Sequence, residues 1–161
     1  CGIEFEAKDS TLKVKAPKTI RPIENIRTEP YPGFPTDMQP QLISLLSLAE
    51  GESRITEEIF ESRLKHIDEL KRMGANIHKN NNRVTINGVP QLRSATITAT
   101  DLRAGAGLII AGLAAEGITK VFGVEHIDRG YDAIENIFSL LGGKMIRDRT
   151  EDLLYVSNRK E

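Results

Sequence analysis

The amino-acid sequence predicts an α/β domain built by repetition, and three observations carry that prediction. Short strings return at a fixed spacing: Leu48-Ala49-Glu50-Gly51 reappears as Ala114-Ala115-Glu116-Gly117, and Ser53-Arg54-Ile55-Thr56 as Thr119-Lys120-Val121-Phe122. Both lie 66 residues apart (Gly51 to Gly117, Ser53 to Thr119), and Arg63 meets Arg129 at the same spacing. Met73-Gly74-Ala75 meets Leu141-Gly142-Gly143 at 68 residues (Gly74 to Gly142), which fits one loop lengthened by two. Within each copy, helical spacing of apolar residues alternates with short β-rich runs, and Gly, Pro or Asn clusters punctuate the changes.

Each copy reads strand-helix-strand-helix-strand-strand. In the first, Ile23 to Arg27 is a strand, and a Pro/Gly-rich loop from Pro30 to Pro35 leads to a helix capped by Thr36 or Asp37. Met38, Leu42, Leu45, Leu46 and Ala49 give that helix an apolar face, and Gly51 ends it in the left-handed position. Arg54-Ile55 begins a second strand. A second helix carries Phe60, Leu64, Ile67, Leu70 and Met73 and stops at Gly74. Ile77 and Val84-Thr85-Ile86 form a closing pair around the turn residues Asn80-Asn81-Asn82. The second copy has a strand at Ala95–Thr98, a helix at Leu102–Ala115 and a strand at Thr119–Phe122. A helix with Tyr131, Ile134, Phe138 and Leu141 then leads to a hairpin ending in Leu153-Leu154-Tyr155-Val156. The units so defined are 23–88 and 94–157, with 1–15 as the terminal hairpin of an earlier one. The Gly/Ala-rich helix Leu102–Ala115 suits a position crowded on several sides, because small residues let backbones approach closely.

Composition narrows the function classes. A net charge of -1 with balanced acids and bases excludes a general nucleic-acid binder, and the absence of Trp with few other aromatics removes base-stacking platforms. The sole cysteine, Cys1, permits no intrachain disulfide and no cysteine zinc site, and fits a reducing compartment. The most apolar window, Ala104 to Ala115, is too short to span a bilayer. The chain opens on Cys1-Gly2-Ile3-Glu4-Phe5 without an initiator Met and is expected to be part of a longer protein.

Polar residues at helix starts carry the chemistry. The loop Thr28-Glu29-Pro30-Tyr31-Pro32-Gly33-Phe34-Pro35 is conformationally restricted and delivers Asp37 to a helix start, where it serves as a cap or as a proton acceptor. In the second copy Arg103 takes the place of Asp37, beside Asp101. Asp101 reads as an N-cap, whereas an arginine in the first turn opposes the helix dipole and so has the better claim to bind a carboxylate or phosphate. His126-Ile127-Asp128-Arg129-Gly130-Tyr131 lies between a strand and a helix; Arg129 either forks an anion there or pairs with Asp128. Glu57 and Glu58 read as a solvated acidic first turn, Phe60 as core, and His66 and His78 as surface or helix-face residues. No His, Cys, Asp and Glu grouping has metal-ligand spacing, so no metal is expected. Gly105-Ala106-Gly107 is too little for a dinucleotide loop, and Ser157-Asn158-Arg159-Lys160 reads as a tail.

The strings Thr28 to Gln39, Ile59-Phe60-Glu61-Ser62-Arg63, Glu69 to Ala75, Asp101-Leu102-Arg103-Ala104-Gly105 and His126 to Tyr131 resemble, in the same order, the UDP-N-acetylglucosamine enolpyruvyl transferase family. The resemblance covers essentially the whole chain. It implies an inside-out α/β barrel of βαβαββ units, the EPSP synthase-like fold, and a cytoplasmic bacterial enzyme of peptidoglycan synthesis. The implied reaction moves the enolpyruvyl group of phosphoenolpyruvate to the sugar 3′-hydroxyl, releases phosphate, and uses no metal or organic cofactor. By position, Asp37 matches the general base, Ile59 (with Phe60) the backbone that meets the sugar nucleotide, and Arg129 an arginine that binds phosphoenolpyruvate. Arg63, Asp101 and Arg103 match neighbouring substrate-binding positions. The family's acid cysteine and its Lys-Asn pair have no counterpart here, Cys1 included, so the chain by itself is expected not to turn over. Shikimate 3-phosphate as the acceptor, and a non-catalytic ligand-binding module of the same fold, are the competing expectations; the Pro30 to Asp37 segment favours the sugar nucleotide.

Overall fold

A computed structural model describes residues 1–157; Asn158, Arg159 and Lys160 of the expected tail lie outside the described residues. The chain begins with a hairpin, β1 (Glu4–Lys8) and β2 (Thr11–Lys15), turned at Asp9. Alternation sorts its two faces: Phe5 pairs with Val14 and Ala7 with Leu12 on one, while Glu4 meets Lys15 and Glu6 meets Lys13 on the other.

Two four-stranded sheets with the same internal order follow. The first holds β3 (Ile26–Arg27), β4 (Glu52–Thr56), β5 (Asn76–Asn80) and β6 (Arg83–Asn87), arranged β3-β4-β6-β5. The second holds β7 (Thr96–Thr98), β8 (Ile118–Phe122), β9 (Lys144–Asp148) and β10 (Leu153–Ser157), arranged β7-β8-β10-β9. In each sheet the first pair is parallel and the others are antiparallel. The registers also correspond: Ile26 lies opposite Ile55 and Ile55 opposite Val84, as Ile97 lies opposite Val121 and Val121 opposite Leu154.

The helices are α1 (Gln39–Leu46), α2 (His66–Arg72), α3 (Leu102–Ala114), α4 (Val124–Asp128) and α5 (Ile134–Leu140). α1 and α3 are the inner pair, and their contact depends on the small residues of α3. The Ser44 hydroxyl donates to the Gly107 carbonyl at 2.8 Å, and a Cβ added at Gly107 would sit 2.9 Å from the Pro40 backbone. Gly105 faces Ile127 of α4 and Gly112 faces Val156 of β10, so α3 is enclosed on three sides. Side-chain bulk on α3 would separate those layers.

Several local expectations give way to tertiary hydrogen bonds. α1 ends at Leu46, short of Gly51, because the following backbone is bonded elsewhere: Glu50 N–H donates to Ile20, and Ser47 and Gly51 carbonyls accept from Val89 and Gly88. Asp37 caps nothing; residues 36–38 form a single 3₁₀ turn before α1, with no side-chain cap. The second helix starts at His66 rather than near Phe60, because the Glu57 carboxylate takes the N–H groups of Ile59 and Phe60. Residues 124–128, expected as loop, form α4. Gly74 and Gly142 both stand at positive φ just past their helices, where the left-handed conformation ends them.

His66, expected at the surface or on a helix face, lies at the start of α2 but is 1 % exposed, and neither ring nitrogen has a hydrogen-bond partner. Burial pushes its pKa down to about 4, against the opposing pull of the Asp101 charge. The unfolded chain therefore takes up this proton first, as pH falls below the ordinary histidine value near 6.5. Stability contributed above that value is lost down to about pH 4. The expected loss is on the order of 3 kcal/mol. Urea unfolding at pH 7 and pH 4.5 measures it, and the His66→Gln chain should lack this part of the difference; an unchanged pH dependence would refute it.

Candidate active site

Three elements bring the site together. The Pro-rich loop, held by a Thr28–Phe34 bridge, carries Thr36 and Asp37 to the start of α1. The connection from β4 to α2 carries Glu57, Ile59, Phe60 and Arg63, and the first turn of α3 carries Asp101 and Arg103. α1 packed on α3 sets these starts side by side, so Asp37 and Arg103, 66 positions apart, meet directly.

Asp37 receives two guanidinium groups. Arg103 donates from Nε to Oδ1 at 2.5 Å and from Nη2 to Oδ2 at 3.3 Å, a two-pronged grip. Arg63 donates from Nη1 to Oδ1 at 2.6 Å and to the Thr36 hydroxyl at 3.0 Å. Arg103, and behind it Arg63, hold the Asp37 carboxyl below the usual carboxylate range, while partial desolvation works in the opposite sense. Asp37 in turn raises the Arg103 pKa. The Asp37 side chain is 56 % exposed, whereas those of Arg63 and Arg103 are 16 % and 30 % exposed. The group is thus a carboxylate open to solvent on a floor of two part-buried cations. Such a site can accept a proton from a hydroxyl and can hold an anion.

The other expected residues have distinct places. Asp101 caps α3, its Oδ1 accepting from the N–H groups of Arg103 (2.9 Å) and Ala104 (3.1 Å). Phe60 is not core: it is 47 % exposed, with the Arg63 guanidinium 4.1 Å from its ring centroid. Ile59 and Phe60 line an open cleft of about 790 Å³ with Glu57, Lys79, Asn81 and Asn82. Arg129 follows the C-terminal end of α4, so no helix N-terminus supports it. Asp128 does not pair with it either; both its oxygens accept from Arg147, at 2.7 and 2.8 Å. Arg129 is exposed and its side chain makes no hydrogen bond or ion pair with the described residues, next to Gly130, whose backbone lies against Leu102 at the start of α3.

Glu57 is the residue that sequence reasoning missed. Far from solvated, it is 2 % exposed. Its Oε1 accepts from the Thr28 hydroxyl at 2.8 Å and from the N–H groups of Ile59 (3.0 Å) and Phe60 (3.1 Å); the Thr36 hydroxyl bonds to Oε1 at 3.0 Å and Oε2 at 2.9 Å. The threonines that flank the Pro-rich loop were the only signal, and nothing local ties them to a glutamate 21 and 29 residues on. Among the described residues, no group of three or more His, Cys, Asp or Glu side chains could hold a metal ion, and no helix is long and apolar enough to cross a membrane.

Repeated sheets around small-residue helices, with a carboxylate and two arginines meeting where the helices start, define an α/β repeat fold with a charged site. The family model for EPSP synthase (3-phosphoshikimate 1-carboxyvinyltransferase) matches residues 1–138, and the chain belongs to that family. Within it, the chain is similar to the UDP-N-acetylglucosamine 1-carboxyvinyltransferase of Clostridium botulinum, 58% identical across 91% of this chain and 35% of that protein. The UDP-N-acetylglucosamine 1-carboxyvinyltransferase 1 of Clostridium perfringens is 53% identical over the same shares. The chain therefore spans about a third of the length of these relatives. Among solved structures, the enolpyruvyl transferase NikO from Streptomyces tendae superposes with a TM-score of 0.79 at 27% identity, covering 96% of this chain and 34% of that one. An EPSP synthase from Acinetobacter baumannii shares the fold with a TM-score of 0.68 at 19% identity, covering 99% and 37%.

Proposed function

We propose that these residues form part of an enzyme that transfers the enolpyruvyl group of phosphoenolpyruvate to the 3′-hydroxyl of UDP-N-acetylglucosamine, releasing phosphate, in the cytoplasmic synthesis of peptidoglycan. The observation that carries this reading is Asp37 set between Arg63 and Arg103. Its support is 47–58% identity to relatives of that name.

In the reaction, Asp37 takes the proton of the sugar hydroxyl as its oxygen attacks C2 of phosphoenolpyruvate. A proton adds at C3 to give a tetrahedral adduct, which then loses a proton from C3 and expels phosphate. Arg63, Arg103 and Arg129 face the carboxylate and phosphate of phosphoenolpyruvate, while the Ile59 and Phe60 backbone borders the sugar nucleotide. Asp101 acts through the α3 cap, by fixing the first turn that carries Arg103.

A carboxylate held by two guanidiniums is a weak base. When phosphoenolpyruvate arrives, its negative groups compete with Asp37 for those cations, and the released carboxylate gains basicity where it is needed. The remaining two thirds of the enzyme supply the acid and further cations. Residues 23–88 and 94–157 form two units of one domain, and 1–15 closes a third.

The test is phosphate release by the complete enzyme, offered phosphoenolpyruvate with either UDP-N-acetylglucosamine or shikimate 3-phosphate. Release with the sugar nucleotide alone is expected. Release with shikimate 3-phosphate alone would transfer the assignment to that acceptor, and no release with either would leave a binding module.

A further inference from the structure

We propose that Glu57 is the positioning residue of this site, fixing the Asp37 loop and the Ile59–Phe60 backbone in one frame. The inference deepens the functional reading above and rests on it for its kinetic consequences.

The hydrogen bonds run in one direction. Two hydroxyls and two backbone N–H groups converge on the Glu57 carboxylate, and all four are donors. An ionised carboxylate is acceptor-only and satisfies them at Oε1 while its Oε2 also accepts from Thr36; an amide of the same size keeps a carbonyl for Oε1 but puts an NH2 donor where Oε2 meets the donating Thr36 hydroxyl. Thr28, bound to Glu57, also accepts from the Glu58 N–H at 2.9 Å, and Glu57 N–H donates to the Asn82 carbonyl at 2.8 Å. The carboxylate thus joins three segments: the end of β3, the turn before α1 and the connection into α2.

The link to the chemistry passes through Thr36. Its hydroxyl donates to Glu57 and accepts from Arg63, which in turn grips Asp37. Thr36 is also the neighbour of Asp37 along the chain. Glu57 therefore fixes Asp37 twice, through the backbone of the turn and through Arg63, without touching Asp37 itself. Buried acceptors of this kind restrict geometry because each lost bond leaves a donor unpaired.

The experiment measures kcat, KM and melting temperature in the complete enzyme for wild type, Glu57→Gln, Thr36→Val and Ser53→Ala. Glu57→Gln is expected to lower kcat/KM for the sugar nucleotide about 10–100-fold, the effect of a misplaced reacting group. Thr36→Val should act in the same direction and less. Ser53→Ala removes a buried hydroxyl of β4 that accepts from the Ile23 N–H, away from Asp37. It should lower the melting temperature and leave kcat as in wild type. Wild-type kcat/KM in Glu57→Gln would overturn the proposal; should that variant not fold, wild-type kcat/KM in Thr36→Val would do so.

A ligand-free measurement separates this proposal from the functional reading. In amide spectra of the 161-residue chain, Glu57→Gln is expected to move the resonances of Ile59, Phe60 and Asp37 together. If Asp37 stays in place while Ile59 and Phe60 move, Glu57 serves its own loop alone and the proposal fails. If all three move and the wild-type enzyme releases no phosphate with the sugar nucleotide, the positioning stands and the reaction assigned to the site is wrong.

Discussion

Replacing Asp37 by Asn in the complete enzyme is expected to lower kcat by about 10²–10⁴-fold, the contribution of a positioned general base. Asparagine has nearly the same shape and can still accept hydrogen bonds, so the turn before α1 should persist. It cannot take a proton, and it removes the counter-charge of Arg63 and Arg103. Those guanidiniums are then free of their carboxylate partner, and KM for phosphoenolpyruvate should fall or stay level while kcat collapses. This separation of kcat from KM is what distinguishes a lost base from a lost binding contact. Wild-type kcat in the variant would exclude Asp37 as the base.

The same pair of cations sets a pH expectation. Because Arg103 and Arg63 keep the Asp37 carboxyl below the usual range in the free protein, it stays ionised throughout neutral and mildly acidic conditions. Its depressed folded pKa contributes stability that is present above the unfolded value and lost as pH falls through the folded one. Water screens this half-exposed group, so that contribution is small; the main consequence is for charge and catalysis.

Gly88→Ala is expected to destabilise the chain by about 3 kcal/mol or more, the upper range for overpacking a closed region. A Cβ at this position would lie 1.7 Å from the Ala49 carbonyl oxygen and 2.9 Å from the Ala49 nitrogen. The obstacle is backbone, which cannot rotate away as a flexible side chain would. Both sides of the contact are also held: Gly88 N–H donates to Gly51 at 3.0 Å and Val89 N–H donates to Ser47 at 2.8 Å. Gly74→Ala is the useful comparison. It has the positive φ that disfavours a side chain but open space around it, so its cost should be nearer 1 kcal/mol. Equal midpoints for the two variants in chemical denaturation would show that the close approach at Gly88 is not limiting.

Much of the fold was legible because repetition is a strong signal. The return of Leu48–Gly51 as Ala114–Gly117 anticipates two sheets with one strand order, and alternation at Val84-Thr85-Ile86 reports a half-buried strand directly. The crowding of α3 followed from its glycines, since few other environments favour so many small residues in one helix. The misreadings share one cause. Glu57, His66 and Phe60 were judged by the usual behaviour of their residue types, acids and histidines outside and phenylalanine inside. Here Thr28, Thr36 and two backbone N–H groups make burial of Glu57 favourable, Arg63 gives Phe60 a partner at the surface, and α2 carries His66 inward despite its unpaired nitrogens.

What the sequence by itself determined is local and periodic: the unit, its strands and most helix positions, the two glycine stops after α2 and α5, and the arginine and aspartate types at the helix starts. These depend on neighbours within a few residues, or on spacing that survives as string similarity. Only the tertiary structure decided which of those residues meet. The packing of α1 on α3 sets Asp37 against Arg103, and the buried carboxylate of Glu57 ties that loop to Arg63. The physical reason is that a hydrogen bond or ion pair depends on a few tenths of an ångström between segments, and no pattern along one segment encodes the distance to another.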